Sequence, residues 1–235
     1  MRMLAGTSGY SYKEWLGPFY PRKLPAQEML RYYAERFPTV EINNTFYRMP
    51  AESLVERWAQ EVPEGFAFTL KAPRRITHVK RLKEVEEAVA EFARRATPLG
   101  DKLAVMLFQL PPSMRKDLPR LRDLLAALPP GRVAVEFRHA SWHDDEVYDA
   151  LRARSAMICV AENDDGGTPF LCTSDAAYLR LRRTRYGDDD LRAWIDRLAA
   201  QPLDRAYVYF KHDAGLAPQF AGRFEEMWRS GRGAA

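Results

Sequence analysis

The sequence predicts an α/β fold in which eight parallel strands alternate with helices and close into a single TIM-type (β/α)8 barrel. Apolar strand-like runs alternate with helical patterns along the chain, as is typical of a parallel sheet. Eight such units in 235 residues approach the size of a common barrel, about 250 residues. After the first strand the chain reads GTSG (6–9), which lacks the Gly-x-Gly-x-x-Gly fingerprint of open dinucleotide-binding sheets. The sequence therefore favours one barrel domain over residues 1–235.

The strands and helices are predicted from the spacing of hydrophobic residues and from the positions of turn residues. Strands are predicted at 3–7, 39–43, 66–71, 103–110, 133–138, 156–162, 177–182 and 206–211. Helices are predicted between them, at 25–36, 51–60, 82–96, 118–128, 141–152, 189–200 and 218–228. The sixth strand is followed by the turn signal NDDGG (163–167), so this unit is expected to be shortened or to lack its helix.

Three helix starts carry local signals. Pro25 suits a first helical turn. Ser141 with Asp144 three residues later resembles a capping box. The acidic run 188–190 places negative charge where a helix N-terminus favours it.

The bulk composition indicates a soluble, cytoplasmic protein. Hydrophobic residues make up 46% of the chain and charged residues 29%, as in ordinary globular domains. No apolar run is long enough to cross a bilayer, and the N-terminus leads directly into a strand without the apolar core of a signal peptide. The chain has two cysteines, Cys159 and Cys172, which fits a reducing compartment. No membrane partner is expected.

Polar residues at the ends of apolar strands predict one shared site. In the strand 133–138, one face is apolar and the other carries Ala134, Glu136 and Arg138. Burying such a charged pair is costly unless something uses it. In a barrel of this kind the site lies where the strands end. The groups expected to converge there are Ser8, Glu41, Asn43, Lys71, His78, Gln109, Glu136, Arg138, His139, Arg180, Arg182, Lys211 and His212.

Two carboxylates in this set suggest acid/base chemistry. Glu41 and Glu136 fall on inward faces, and such a pair can act on a glycosidic bond when one is protonated and the other ionised. The alternative is that each glutamate is a structural partner of a cation, Lys71 or Arg138.

Two basic clusters predict an anionic ligand. The segment 71–83 holds six Lys or Arg and no acid, and a second cluster lies at 180–185. A cleft lined with one sign of charge attracts the opposite sign, so a phosphate-bearing or carboxylate-bearing ligand is expected. Lys80, Arg81 and Lys83 have the alternative of being a solvated surface.

Aromatic residues and histidines complete the candidate set. Tyr47 and Trp142 follow strands with site residues and could stack on a base or a sugar, although packing over the barrel mouth is the alternative. His139 and His143 have ligand spacing for a divalent metal. The surrounding arginines repel such an ion, so no metal and no cofactor is predicted.

Several segments resemble the YecE-like family, the domain of unknown function 72. They are GTSGYSYKEW (6–15), FYP (19–21), VEINNTFY (40–47), FTLK (68–71), ITH (76–78), LFQLPP (107–112) and EFRHASW (136–142). The resemblance runs from about residue 4 to 220 in the same order. It implies an eightfold strand–helix barrel and supplies no reaction.

Two segments depart from the family pattern. After the seventh strand the family tends to show Arg-Leu-His-Gly, where this chain reads RLRR (180–183). At the eighth strand the family tends to show Tyr-Phe-Asn-Asn, where this chain reads YFKH (209–212). Both departures add positive charge to the predicted rim.

These features together predict an uncharacterised barrel enzyme, a hydrolase or lyase acting on a phosphorylated sugar or nucleotide at the carboxyl-terminal face. Glu136 is the predicted acid/base residue, assisted by Glu41. The expected substrate-binding residues are Lys71, Arg138, Arg180, Arg182, Asn43, Gln109, Tyr47, Trp142, His78, His139, Lys211 and His212. The alternative is a non-catalytic module that binds nucleic acid through the basic, aromatic-rich rim. The oligomeric state is left open.

Overall fold

The computed structural model describes residues 1–212 and 215–232, and its centre is a closed barrel of eight parallel strands. The barrel strands are β1 (Arg2–Ser8), β2 (Thr39–Ile42), β3 (Ala67–Lys71), β4 (Leu103–Gln109), β5 (Val133–Glu136), β6 (Met157–Asn163), β8 (Ala176–Leu181) and β9 (Arg205–Phe210). Each strand pairs with its neighbour, and β9 pairs with β1 to close the ring. The predicted barrel is confirmed.

Helices cover the outside of the barrel. They are α1 (Met29–Ala34), α2 (Asn44–Tyr47), α3 (Glu52–Glu61), α4 (Glu86–Ala96), α5 (Leu118–Ala126), α6 (Asp145–Arg152), α7 (Asp188–Ala199) and α8 (Ala217–Arg232). Between β6 and β8 the chain forms β7 (Gly166–Gly167), a two-residue strand antiparallel to β6. Residues 164–175 contain no helix, as the turn signal predicts.

The period of two along the strands separates the two hydrophobic layers. In β5, Val133 and Val135 pack in the outer core beneath the helices, whereas Ala134 packs inside the barrel. Phe137 continues the outer layer. Glu136 therefore faces the barrel interior, as the alternation predicts.

A layer of tyrosines fills the middle of the barrel. Tyr178 and Tyr209 are both fully buried, with ring centroids 5.3 Å apart. The Tyr209 hydroxyl hydrogen-bonds the hydroxyls of Thr39 (2.7 Å) and Thr69 (2.9 Å). Each buried hydroxyl thus has a partner, and the layer closes the barrel beneath the polar strand ends.

The prediction that a helix begins at residue 82 is wrong. Residues 75–79 form a π-helical turn, and α4 begins only at Glu86. Arg81, Leu82 and Glu84 have positive φ, which a continuous right-handed helix excludes. The Leu82 side chain is buried, and this tertiary contact outweighs its helix propensity.

The predicted capping role of Ser141 is also wrong. Ser141 lies in a short 3-10 helix (Ala140–Trp142), and its hydroxyl accepts a hydrogen bond from the Lys116 amide. The cap of α6 is Asp144, whose carboxylate accepts from the amide of Glu146 at 3.0 Å. Either residue type suits a cap, and the position of the helix start decides between them.

Within 1–212 and 215–232, no helix is both long enough and apolar enough to cross a bilayer.

Candidate functional site

The predicted strand-end residues meet at the carboxyl-terminal mouth of the barrel. Glu41 ends β2, Lys71 ends β3, Gln109 ends β4, Glu136 ends β5 and Arg180 lies in β8. All five point inward and are at most 8% exposed. Residues far apart in sequence thus form one polar layer directly above the tyrosines.

Arg180 is the centre of this layer. Its Nη1 donates to Glu136 Oε2 at 2.5 Å, and its Nη2 donates to Glu41 Oε1 at 2.9 Å. The guanidinium is buried between the two carboxylates, which hold its pKa well above the usual value against the effect of burial. A guanidinium with its fixed fork of donors suits this bridging position.

Glu136 accepts four hydrogen bonds. Gln109 Nε2 (2.7 Å) and Arg180 donate to Oε2, while Arg138 Nε (3.0 Å) and Arg182 Nη2 (3.3 Å) donate to Oε1. Burial alone would raise its pKa, but the charges of Arg180, Arg182 and Arg138 outweigh burial and hold the pKa well below its usual range. An ionised carboxylate has about four lone-pair sites, and here all four are used.

Glu41 is held in a similar way. It accepts from Arg180, from Asn43 Nδ2 at 3.2 Å and from the Tyr178 hydroxyl at 2.6 Å. Burial raises its pKa, and the charge of Arg180 with the Tyr178 hydrogen bond brings the net pKa below the usual value. The carboxylate is therefore ionised at neutral pH.

The acid/base role of the two glutamates stays a prediction, and the lowered pKa of each carboxyl weighs against it. A glycosidase pair needs one carboxyl that is protonated at working pH, and neither Glu41 nor Glu136 meets this condition. A glutamate whose pKa is held so low is also a weak proton acceptor. The geometry matches the structural alternative: Arg138 pairs with Glu136 as the sequence predicts, and Arg180, in place of Lys71, pairs with both glutamates.

A cleft opens beside the arginines. Its volume is about 550 Å³, and its lining includes Glu136, Arg138, Arg182, Asn163 and Thr168. The Nε atoms of Arg180 and Arg182 are buried and make no hydrogen bond to the described residues. A buried N–H without an acceptor costs about 1–3 kcal/mol, so this end of the barrel holds donors that no residue of 1–212 or 215–232 satisfies.

Lys71 lies at the end of β3 and differs from the other cations of the site. Its Nζ sits 4.0 Å from the centroid of the Phe46 ring in α2. The Thr45 hydroxyl donates to the Lys71 carbonyl at 2.6 Å and fixes the strand end against α2. Burial and the charge of Arg180 lower the pKa of Lys71 from 10.5 to about 8, despite the opposing effect of Glu41 and Glu136.

Replacing Lys71 with methionine is expected to raise the free energy of unfolding at pH 7 by about 2–3 kcal/mol. The folded state binds the Lys71 proton more weakly than the unfolded chain does, so the protonated amine lowers stability below pH 8, and this cost disappears above pH 10.5. Urea denaturation of both proteins at pH 7 measures the difference. Lys83→Met, at an exposed position, is the control, and a loss of stability in Lys71→Met would contradict the expectation.

The other predicted residues occupy different surroundings. His78 packs edge-on against Phe46, with ring centroids 5.0 Å apart, and its pKa is lowered by burial and by Lys71 and Arg138. Tyr47 is 82% exposed at the rim. His139 accepts from the Ser141 amide and caps the short helix 140–142.

Three predicted residues do not join the arginine cluster. Trp142 is fully buried, stacks on Phe137 at 4.8 Å and donates from Nε1 to the Met114 carbonyl, so it belongs to the core and not to a ligand surface. Lys211 and His212 line a separate cavity of about 70 Å³ near Ser8. His212 Nε2 donates to the Thr184 carbonyl at 2.9 Å.

The sequence interpretation missed Tyr178, which hydrogen-bonds Glu41. It counted Phe46 only among the aromatic residues of the rim, and the structure places the Phe46 ring against Lys71. The alternation in β8 could have found the first, since Tyr178 and Arg180 share a face. Phe46 lies in α2, a four-residue helix without a sequence signal.

Across residues 1–212 and 215–232, no group of three His, Cys, Asp or Glu side chains could hold a metal ion.

Comparison with known proteins assigns the chain to a family. Residues 4–234 match the family model described as "Protein of unknown function DUF72". The chain is 35% identical over 112 residues to the UPF0759 protein YecE of Escherichia coli (strain K12), covering 47% of this chain and 41% of that protein. It is 32% identical over 139 residues to the UPF0759 protein YunF of Bacillus subtilis (strain 168), covering 55% and 49%. The matches thus span less than half the length of either relative.

Solved structures share the barrel. A crystal structure of a DUF72 family protein from Thermotoga maritima MSB8 superposes with a TM-score of 0.86 at 28% identity, covering 97% of this chain and 100% of that one. A DUF72 family protein from Enterococcus faecalis V583 gives 0.79 at 18% identity, covering 97% and 98%, and this second likeness concerns the fold alone. The chain therefore belongs to the DUF72 family, in agreement with the resemblance found in its sequence.

Proposed function

We propose that this protein is an enzyme, a hydrolase or lyase, that binds a small anionic ligand such as a phosphorylated sugar or nucleotide at the carboxyl-terminal mouth of the barrel. The observation that carries the proposal is the pair of buried Nε–H groups of Arg180 and Arg182, which find no acceptor among the described residues. Arg182 lines the adjacent cleft of about 550 Å³ and Arg180 does not, so an anion in this cleft would supply an acceptor to the arginine donors on the Arg182 side.

The charge balance supports an anion. Lys71, Arg138, Arg180 and Arg182 surround the two carboxylates, so positive charge is in excess. Arg138 uses only Nε in its contact with Glu136, and among the described residues its Nη atoms have no hydrogen-bond partner. Arginine presents such donors in a planar fork that fits phosphate and carboxylate.

The glutamates have a positioning role in this proposal. Glu136 fixes Arg138, Arg180 and Arg182 at once. Guanidinium groups held in place before a ligand arrives bind it with a smaller loss of side-chain entropy. Proton transfer then falls to a group whose pKa lies nearer neutrality, and Lys71 has a pKa of about 8.

The test is the binding of inorganic phosphate, measured by calorimetry and by the rise in melting temperature. We expect phosphate to bind, and Arg182→Gln to weaken it by about tenfold or more, since a hydrogen bond to a charged group contributes about 1.5–3 kcal/mol. Arg152→Gln is the matched control, because Arg152 pairs with Asp149 on the outside of α6. Equal affinities in the two variants, or no phosphate binding in the wild type, would overturn the proposal.

Nucleic acid is the second candidate ligand, favoured by one observation. Tyr47 is 82% exposed, and Arg74 and Arg75 are exposed on the same rim. A single-stranded oligonucleotide that binds with a steep salt dependence and loses affinity in Tyr47→Ala, but not in Arg182→Gln, would favour this candidate over a small ligand.

A further inference from the structure

Lys71 lies at the end of β3 in the barrel mouth, and among the described residues its Nζ has no acceptors of the kind that Lys80, Lys102 and Lys116 have. Lys80 donates to the Glu84 carbonyl, Lys102 to the carbonyls of Ala59 and Val62, and Lys116 to carboxylates. For Lys71 Nζ, no hydrogen-bond acceptor exists within 1–212 and 215–232, and its contact is the face of the Phe46 ring. The Lys71 side chain is only 8% exposed, and its Nζ is not among the fully buried atoms without a hydrogen-bond partner, so the amine is open to molecules in the mouth.

The surroundings of Lys71 favour the neutral, nucleophilic amine. Its pKa is lowered to about 8, first by burial and then by Arg180. Roughly a tenth of the amines are then neutral at pH 7, against fewer than about one in a thousand for an exposed lysine. A buried lysine beside another cation is a recognised arrangement for attack on carbonyl carbon.

We propose that Lys71 forms a Schiff base with an aldehyde or ketone group of the anionic ligand, so that the substrates of this site are phosphorylated or carboxylated carbonyl compounds. This inference rests on the proposed function and adds the carbonyl to its ligand. The geometry behind it is an acceptor-free Nζ on an aromatic face, in the same layer as Arg180, Glu41 and Glu136.

The step balances without a further reactant. The Nζ lone pair adds to the carbonyl carbon, the C=O π pair moves to oxygen, and a proton passes from nitrogen to that oxygen. The carbinolamine then takes up one further proton and loses one water, leaving a C=N bond with a protonated, cationic nitrogen. When a carbon–carbon bond of the adjacent carbon breaks, its electron pair enters the iminium and gives a neutral enamine, while the other fragment loses its hydroxyl proton and leaves as a carbonyl compound, which is the chemistry of a lyase. The enamine carbon then takes up a proton to restore the iminium, and water hydrolyses this iminium to the product carbonyl and the Lys71 amine.

Neighbouring groups suit each stage. The Phe46 face that holds the Lys71 ammonium also accepts a cationic iminium. His78 packs against the same ring, and its lowered pKa leaves a neutral imidazole at pH 7 that can accept a proton. Arg182 and Arg138 line the cleft and Lys71 does not, so the anionic end of the substrate would lie in the cleft and its carbonyl group would extend out of it toward Lys71.

The experiment uses two small aldehydes that differ by one phosphate group, glycolaldehyde phosphate and glycolaldehyde. Each is incubated with the full chain at pH 7.5 and reduced with cyanoborohydride, and peptide mass spectrometry measures the labelled fraction at every lysine. We expect glycolaldehyde phosphate to label Lys71 at least tenfold more than the exposed Lys23 and Lys83. Inorganic phosphate should suppress this labelling, and glycolaldehyde should show a much smaller preference.

Controls separate this inference from the proposed function. Lys71→Met should lose the selective label while keeping its fold, and Lys83→Arg should keep the label at Lys71. If phosphate binds in calorimetry but Lys71 is labelled no more than the exposed lysines, the Schiff base is wrong and the anion site stands. If both probes label Lys71 equally and phosphate does not compete, the amine is reactive but the anionic substrate class is wrong.

Discussion

Replacing Arg180 with methionine is expected to lower the free energy of unfolding at pH 7 by about 3–5 kcal/mol, because it removes the shared partner of two buried carboxylates. The energetic cost is largest at Glu41, because its remaining hydrogen-bond donors are the neutral groups of Asn43 and Tyr178. Urea denaturation measures the change, and the melting temperature should fall by about 10 °C.

The pH dependence of Arg180→Met distinguishes charge from packing. Without the guanidinium, burial raises the pKa of Glu41 in the folded state above its unfolded value. A buried carboxyl with a raised pKa destabilises the fold while it is ionised, and this cost disappears as the carboxyl takes up a proton. The free energy of unfolding of the variant should therefore rise as the pH falls from 7 to 5. Arg152→Met, which breaks an exposed ion pair, should change stability by less than about 0.5 kcal/mol. A loss that does not vary with pH would assign the effect to packing alone.

Acid is expected to destabilise the wild-type protein steeply once the pH falls below about 4.5. The folded-state pKa of Glu41 and of Glu136 lies below the usual value. At acid pH the unfolded chain therefore binds more protons at these carboxyls than the folded state does. The stabilisation from these groups is complete above the unfolded pKa and is lost as the pH falls. Each carboxylate can contribute a slope of about 1.4 kcal/mol per pH unit.

The Glu136→Gln variant measures how much one carboxylate contributes to the change in the free energy of unfolding per pH unit. The variant should be less stable than the wild type at pH 7, since three arginines lose their common acceptor charge. Its slope between pH 4.5 and pH 3 should be shallower by up to about 1.4 kcal/mol per pH unit. Urea titrations at several pH values give both slopes, and equal slopes would show that surface carboxylates set the acid sensitivity.

The barrel was predictable because it depends on short-range patterns. Alternation along β5 separated Val133 and Val135 from Glu136, and the structure keeps this division between the outer core and the barrel interior. The turn signal after β6 correctly indicated a unit without a helix. Both features follow from residues within one element and its neighbouring turn.

The roles of the charged residues were not predictable in the same way. The Arg180–Glu41 contact joins residues 139 positions apart, and which cation meets which carboxylate depends on strand register and on the tilt of the barrel. The protonation state of Glu136 follows from four donors on three different segments. Sequence identified the participants, and only their placement shows that two glutamates act as anchors for arginine.

Local packing also overrode sequence signals outside the site. Trp142 follows a polar strand end, and its indole nevertheless turns inward to stack on Phe137. A large apolar surface gains about 25 cal/mol for each Å² removed from water, which favours the core over the rim. The late start of α4 has the same origin in the burial of Leu82.

The layer formed by Tyr178 and Tyr209 limits the route by which any ligand reaches and leaves the barrel mouth. Because Tyr178 and Tyr209 fill the bore below Glu41 and Arg180, a molecule cannot enter at one end of the cylinder and exit at the other. A ligand must therefore bind and dissociate through the same opening. For the proposed enzyme, a product that keeps the anionic group of its precursor would therefore compete directly with the next substrate molecule, and turnover would slow as that product accumulates.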